Sequence, residues 1–541
     1  MSHTRLRLQD EARQRVLAGA TALANAVRPT LGPRSKCVLV DRKWSSPLVC
    51  NDGVTIAREV RLQDPEESLG AMILREAATR TSDDVGDGTT TSTLLAHAIL
   101  QEGVRNVVAG ASAVSLKRGL ERGLVAATES LRALSRPCQS RAEREQIATI
   151  SAHNEAAIGS MIADAMDRVG PEGVVSLEES KGTETLLEVV EGMQFDRGFQ
   201  SPYFVTDSDK MEASLERPLL LMFEGRIARL DQMVPLLELI LKSGRSLLVV
   251  AESVEGDALA TLVLNKLRGT LSCAAVKAPG FGDRRKEMLQ DLAILTGGTF
   301  VADELGIALD KVELSHLGRA KKAIVGRETT TILGGEGSRS DLDARCKELR
   351  AQIAQSTSDY DKKKLEERLA RLSGGVAVIR VGASSEAEMK SRKEAFEDAI
   401  RAAKAAVQEG IVPGGGVALL RTIEAVTTAA QSAQGDERTG MHILARALEV
   451  PARQIAANSG FDDGVVVERI RSMRGAMGFD AAKGDYSDMV QSGIVDPTKV
   501  VRIALQNAVS VAGTLLLTDA TLTEIEEPKT GVATAGSEAA D

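Results

Sequence analysis

The six residues Gly86-Asp87-Gly88-Thr89-Thr90-Thr91 gather two glycines, one carboxylate and three hydroxyls directly ahead of an apolar helical run. Glycine lets backbone N–H groups approach an oxyanion with no Cβ in the way, and a helix start offers unpaired donors at the positive end of its dipole. The chemistry this predicts is phosphate binding, with Asp87 as a hard oxygen ligand for Mg²⁺, an ion that keeps several waters and takes one or two protein carboxylates. Taken singly, the stretch reads equally well as a structural turn. The chain has no G-x-x-x-x-G-K-[ST] run, so it is not a P-loop protein. A second carboxylate, Asp398, lies in a helical stretch whose apolar stripe is Phe396, Ile400, Ala403 and Val407; Asp398 points off that stripe and by itself reads as solvated. His153, in Ser151-Ala152-His153-Asn154, reads as solvated or capping rather than catalytic.

The elements that must position these groups are mainly helical. Residues 8 to 28 repeat apolar side chains at three and four residue steps until Thr30-Leu31-Gly32-Pro33 stops them. Two short extended runs, 37 to 40 and 47 to 50, precede Asn51-Asp52-Gly53, which carries a turn signal of the hairpin kind. Helices resume over about 68 to 134 and break at Pro137. From Gly192 the texture changes to short β-like runs, 219 to 223, 247 to 251 and 274 to 278, alternating with helical stretches, which predicts an α/β domain. A charged helical pair spans 340 to 372, most of its charge being a solvated face; one more extended run, a helix over 386 to 409 and Gly414-Gly415-Gly416 follow, and helical texture continues to about 519. The order is helical, mixed, α/β, mixed, helical, so an inserted domain interrupts a unit built from both ends of the chain. Residues 528 to 541 are small and polar and are expected to be disordered.

Composition narrows the function class. At 541 residues the chain needs several cores. A net charge of -9, with no basic block interleaved with aromatics, argues against nucleic acid as partner. Apolar residues are 43% but aromatics only 2%, which favours close-packed helices with aliphatic, alanine-rich cores. Cys37, Cys50, Cys138, Cys273 and Cys346 are scattered with no C-x-x-C pair, which suggests neither zinc nor disulfides and fits a reducing cytoplasm. The apolar runs are far shorter than the roughly 20 residues of a membrane helix, and no secretory leader is evident.

Five motifs in order, Thr30-Leu31-Gly32-Pro33, Asp52-Gly53, Gly86 to Thr91, Gly414 to Gly416 and Asp496-Pro497-Thr498-Lys499-Val500, together resemble the nucleotide pocket of the group I chaperonins, the GroEL/Hsp60 family. Val276-Lys277-Ala278-Pro279-Gly280-Phe281-Gly282-Asp283-Arg284-Arg285-Lys286 is similar to that family's apical domain, and the resemblance runs from about residue 6 to 525. It implies a multidomain fold, mainly α with an α/β insert. The helical equatorial ATPase domain would span 1–136 and 411–525, a small α/β intermediate domain 137–191 and 376–410, and an α/β apical client-binding domain 192–375, with 526–541 as a tail. The implied activity is ATP-dependent folding of non-native polypeptides inside a ring of seven, two rings stacked, capped by a GroES/Hsp10-like co-chaperonin, in the cytoplasm.

By the same resemblance Asp398 would align and deprotonate the attacking water, with Asp52 close by. Thr30, Leu31, Gly32, Pro33, Asn51, Asp87, Gly88, Thr89, Thr90, Thr91, Gly415, Asp480, Ala481, Ala482, Ile494 and Asp496 would line the nucleotide; Asp87 would hold Mg²⁺, and Thr30 and Asn51 would offer backbone oxygens to K⁺. Phe199, Tyr203, Phe204, Val234, Leu237, Leu259, Val263 and Leu264 would form the exposed groove that grips clients, although fully buried helices are the plainer explanation of that apolar excess without the family. Pro137, Gly192, Gly375 and Gly410 would be pivots. Arg453 and Asp462 keep charge types that resemble the family's ring-to-ring contacts.

The chain departs from the family pattern at Ser35-Lys36, at Asn51 where lysine is usual, at Asp480 where asparagine is usual, and in a tail without Gly-Gly-Met repeats. An ionised aspartate only accepts hydrogen bonds, so base recognition at Asp480 is expected to differ. These changes motivate one alternative, a specialised paralogue with weak ATPase acting as a client-binding scaffold. A metabolic ATP-dependent transferase would need an acceptor nucleophile and a small-substrate site, which the sequence does not offer.

Overall fold

The computed structural model describes residues 3–41, 47–152, 154–170, 173–180, 182–208, 210–356 and 358–525. His153 and the tail beyond 525 lie outside the described residues. The chain divides into two compact units, Met1–Ser160 with Glu394–Asp541, and Met161–Lys393.

The first unit is a stack of long helices, among them Gln9–Val27, Pro65–Val85, Thr89–Val108, Ala113–Leu134, Gly435–Ala447 and Thr498–Leu516. Its core is alanine, leucine and valine with almost no rings. Glycine pairs set the spacing. A Cβ on Gly19 would lie 1.7 Å from the Glu67 carbonyl oxygen and one on Gly70 would lie 2.0 Å from that of Val16, so the helices carrying them touch backbone to backbone. Gly119 and Gly440 do the same for Ala113–Leu134 and Gly435–Ala447. This is how a core with few aromatics reaches full density: helices come closer instead of side chains growing larger.

Both chain ends of this unit pair with each other. His3–Leu8 runs antiparallel to Ala520–Ile525, in register from His3 opposite Ile525 to Leu8 opposite Ala520. The antiparallel pair Val38–Val40 and Leu48–Cys50 matches the expected extended runs. Asn51-Asp52-Gly53, however, is no hairpin turn: Asp52 caps the helix Gly53–Glu59, its carboxylate accepting from Thr55 N–H at 2.8 Å and Val54 N–H at 3.4 Å. An aspartate before a helix-compatible run serves a cap as readily as a turn.

In the second unit, Cys273–Lys277, Leu247–Ala251 and Leu219–Phe223 lie side by side and parallel, with Phe300–Val301 parallel on the far edge of Leu219–Phe223. Antiparallel strands Gly318–Val325, Thr330–Gly335 and Gly192–Phe195 extend the sheet. The parallel strands are buried along their lengths, as the continuous apolar runs predict. A separate small sheet centres on Val376–Val381, parallel to Val174–Glu179 and antiparallel to Leu186–Val190. The charged helical pair is Arg339–Gln355 and Asp359–Gly374, and it is less solvated than its composition suggests: Leu342, Cys346, Leu349 and Leu372 join the main core. Among the described residues no helix is long and apolar enough to cross a membrane.

Candidate functional site

Gly88 ends one helix-to-helix turn in the left-handed region, φ 79°, and opens the helix Thr89–Val108 without any side-chain cap. The first N–H groups of that helix therefore point outward with no side-chain acceptor, which is the donor arrangement an anion needs. Gly86, φ 73°, closes the preceding helix, and the Arg401 side chain lies across it where a Cβ would sit. Gly53 backs the same turn: a Cβ there would be 2.4 Å from Thr90 Oγ1 and 2.9 Å from Thr89 Oγ1. Thr90 Oγ1 in turn lies 2.9 Å from Thr30 Oγ1, which donates to the Val27 carbonyl at 2.8 Å. Thr30, Asp52-Gly53 and Asp87 to Thr90 are thus one cluster held by three different helix ends.

Around this cluster the carboxylates converge. Burial, and then the neighbouring Asp87 and Asp52 carboxylates, hold Asp398 well above the usual carboxylate range, with Arg401 pulling the other way. Asp398 is consequently not the solvated side chain its helical phase suggests. Asp496 sits opposite Val412 in the strand pair Ile411–Pro413 and Val495–Pro497, and burial followed by Asp87 pushes it up to about 7. Asp87 itself takes the backbone N–H of Gly88 at 2.5 Å and the hydroxyl of Ser151. Ser151 ends the helix Arg141–Ser151 and carried no sequence signal, because its partner lies 64 residues away.

A second rim is built from glycine turns. Gly414 N–H donates to the Ile494 carbonyl at 2.9 Å, and Gly416, φ 78°, starts the helix Val417–Ala430, again without a side-chain cap. Asn458 Nδ2 donates to the carbonyls of Arg28 and Leu31, each at 2.8 Å, and fixes the loop of Leu31, Gly32 and Pro33. Arg34 ties that loop to the Ala482 carbonyl at 2.9 Å. No local sequence signal marks Asn458 or Arg34, whose partners are hundreds of residues away.

Two expectations change here. Asp480 is almost fully buried and turned inward; Oδ1 accepts from Ala482 N–H at 3.0 Å and Lys483 N–H at 3.2 Å, and Oδ2 pairs with Lys483 Nζ at 3.2 Å. Its carboxylate holds its own turn, and Ala481 packs in the core beside Phe479. On the client side, Phe204 is 0% exposed and Leu237 is buried, so neither belongs to a surface groove. Tyr203, 61% exposed, and Val234 and Leu264 face out, while Phe199, Leu259 and Val263 are partly buried against the core. The alternation is physical: each apolar helix turns one stripe to the sheet and leaves the other outside.

The site suits a nucleotide triphosphate. Uncapped N–H donors can take phosphate oxygens, while Asp52, Asp87, Asp398 and Asp496 would repel a polyphosphate unless a cation lay between them. Among the described residues no three His, Cys, Asp or Glu groups converge tightly enough to hold a metal alone, so an ion bound here would have to share its shell with phosphate and water. Arg453, by contrast, pairs within the chain, with Glu449 at 2.7 Å and Asp463 at 3.4 Å, and Asp462 caps the helix Asp463–Ser472.

Known proteins bear on this geometry. A sequence profile described as the TCP-1/cpn60 chaperonin family matches residues 23–526. The chain is 60% identical over 529 residues to a protein named Chaperonin GroEL 5 from Bradyrhizobium diazoefficiens, covering 98% of each.

Proposed function

This chain belongs to the TCP-1/cpn60 chaperonin family, and we propose how its residues divide the labour of that family's cycle. The protein is an ATP-hydrolysing chaperonin that works on polypeptide clients as an oligomeric ring. Our reading of the parts is an equatorial domain over 1–136 and 411–525, an intermediate domain over 137–191 and 376–410, and an apical domain over 192–375. It extends to two stacked rings of seven, a GroES/Hsp10-like lid and a cytoplasmic setting.

The observation that carries the site is the uncapped start of Thr89–Val108 beside Asp52, Asp87 and Asp398. Backbone N–H groups of Gly88 to Thr91 bind phosphate oxygens, Thr30 to Pro33 enclose the nucleotide, and Gly415, Ile494 and Asp496 meet its sugar and base. Asp87 holds Mg²⁺, and the backbone oxygens of Thr30 and Asn51 are offered to K⁺. Bound magnesium supplies positive charge against the phosphate oxygens. Asp398 takes the proton of the attacking water on a carboxylate oxygen; a base held above the usual range by its surroundings accepts that proton more readily. Asp52 keeps the water oriented while its other bonds fix the helix Gly53–Glu59.

Clients are gripped by the outward stripe of Val234–Ser243 and Gly256–Leu267 together with Tyr203. Apolar area removed from water contributes about 25 cal/mol per Å² without directional demand, so many sequences bind. Gly375, φ 65°, and Gly410, φ 80°, sit at helix-to-strand joints and, with Pro137 and Gly192, are the pivots. Refolding of a denatured enzyme, with ATP and a lid protein, tests the whole. Tyr203→Ser with Leu264→Ser is expected to abolish capture at an unchanged melting temperature, whereas Phe204→Ala lowers the melting temperature; normal capture by the double variant would sink the groove assignment.

A further inference from the structure

A cavity in the second unit has no part in ATP turnover or in the apolar groove. The parallel strands Leu219–Phe223, Leu247–Ala251 and Cys273–Lys277 point the same way, and the residues just past their carboxyl ends line a cavity of about 350 Å³. Arg226 follows the first strand, Glu252 and Ser253 follow the second, and Lys277 ends the third. The crevice beyond the carboxyl ends of parallel strands is where open α/β sheets carry ligands, and a volume of roughly 300–1,000 Å³ suits a small molecule.

Its lining has more donors than the protein satisfies. Arg197, Arg226, Lys277 and Arg285 face only two carboxylates, Glu252 and Glu255. Glu252 is occupied by Arg285 at 3.0 Å and Arg226 at 3.4 Å. Ser253 is only 7% exposed, and its hydroxyl has no hydrogen-bond partner among the described residues; the Arg285 Nε is likewise buried and unpartnered. Buried polar atoms are rarely left unmatched, so each needs an explanation. The Arg197 guanidinium lies 5.2 Å from the ring centroid of Phe281, whose side chain is 79% exposed beside the cavity.

We propose that this cavity is a binding site for a small tetrahedral oxyanion, phosphate or the phosphate group of a small ester, held by Ser253, Lys277 and Arg285. The donors arrive from separate strand ends and a following helix, which surround a tetrahedral group better than they match a flat carboxylate. Arg197 and Phe281 stand at the rim, where an ester's organic part would lie.

The test uses the assembled full-length protein saturated with ADP and measures uptake of radiolabelled inorganic phosphate by equilibrium dialysis. Glycerol 3-phosphate and citrate serve as competitors. One phosphate site per chain is expected in the wild type, retained in Asp87→Asn and weakened about 10- to 100-fold in Lys277→Gln, the effect of losing one hydrogen bond to a charged group. Ser253→Ala is expected to weaken uptake while leaving the melting temperature unchanged or higher, because it removes an unmatched buried hydroxyl. Displacement of the labelled phosphate at lower concentrations of glycerol 3-phosphate than of unlabelled phosphate identifies the ester as the preferred ligand. Three results would each overturn the proposal: no uptake, uptake lost in Asp87→Asn yet normal in Lys277→Gln, or citrate displacing phosphate more strongly than glycerol 3-phosphate does.

Discussion

Asp398 and Asp291 are both carboxylates withdrawn from water, and the chain surrounds them in opposite ways. Asp291, in the second unit, is 2% exposed and held by Arg345 Nε at 2.8 Å and by Arg368 at 2.9 and 3.1 Å, while Arg368 also reaches Glu287 at 2.5 Å. Asp398, in the first unit, faces Asp87 and Asp52, with Arg401 as the counterweight. A carboxylate with a structural task is neutralised by its own protein. One with a chemical task is kept among like charges, which raises its proton affinity and reserves it for a substrate.

The largest effect that would break this contrast concerns turnover. Asp398→Ala is expected to bind ATP normally and hydrolyse it about 10²- to 10⁴-fold more slowly. Isothermal titration and steady-state phosphate release separate the two quantities, and unchanged turnover would remove Asp398 from the chemistry. Asp291→Ala is the mirror experiment. It takes away the carboxylate that two arginines share, leaving Arg368 with Glu287 and Arg345 with Glu348, at a cost of about 1–3 kcal/mol, so chemical denaturation should show a weakened transition while ATP hydrolysis per folded chain persists. Loss of hydrolysis without loss of stability would erase the distinction between the two carboxylates.

His97 illustrates a third treatment, in which a buried group stays neutral. It lies in the core of the first unit, 3.0 Å from Thr21 Oγ1, and burial followed by the Arg28 charge lowers it to about 4. The unfolded chain takes up this proton near pH 6.5 and the folded one does not, so the folded state loses stability as pH falls from 6.5 towards 4. The full loss is about 3 kcal/mol. Denaturation midpoints between pH 7.5 and 4.5 should fall less steeply in His97→Gln; parallel curves would mean that the imidazole is protonated in the fold.

How far the sequence carried depended on whether a signal was local. The glycine-threonine run declared its helix start, and the apolar runs at 219 to 223 and 247 to 251 became the buried parallel strands. The strand pair His3–Leu8 with Ala520–Ile525 joins opposite ends of the chain, so no window of sequence contains it. Asp52 reads as part of a hairpin turn because a cap and a turn ask for the same residue. The family resemblance puts Phe204 and Leu237 in the groove, yet both are buried; an apolar excess along a helix does not say which stripe faces out. Arg368 belongs to a helical pair whose charge reads as a solvated face, and its burial against Asp291, 77 residues away, is a tertiary fact.

Asp496 gives the smallest effect and the sharpest view of the trade between site and stability. Its folded carboxyl sits at about 7 because of burial and Asp87, against about 3.9 in an unfolded chain. A raised carboxylate favours folding fully below pH 3.9, and that advantage drains away as pH rises through 7. At pH 8, without nucleotide and with chelator present, the ionised Asp496 is therefore a burden on the fold. Asp496→Asn removes the charge and keeps the shape, and should stabilise the protein there by about 1–2 kcal/mol, the full shift being reduced by the solvent that still reaches the group. The gain should fade as pH falls below about 3.9, where Asp496 is protonated in either state. Nucleotide affinity should move the other way, since an amide is a weaker acceptor for a ribose hydroxyl than a carboxylate. A variant less stable than the parent at pH 8 would show that Asp496 is held by attractive contacts and belongs with Asp291 rather than with Asp398.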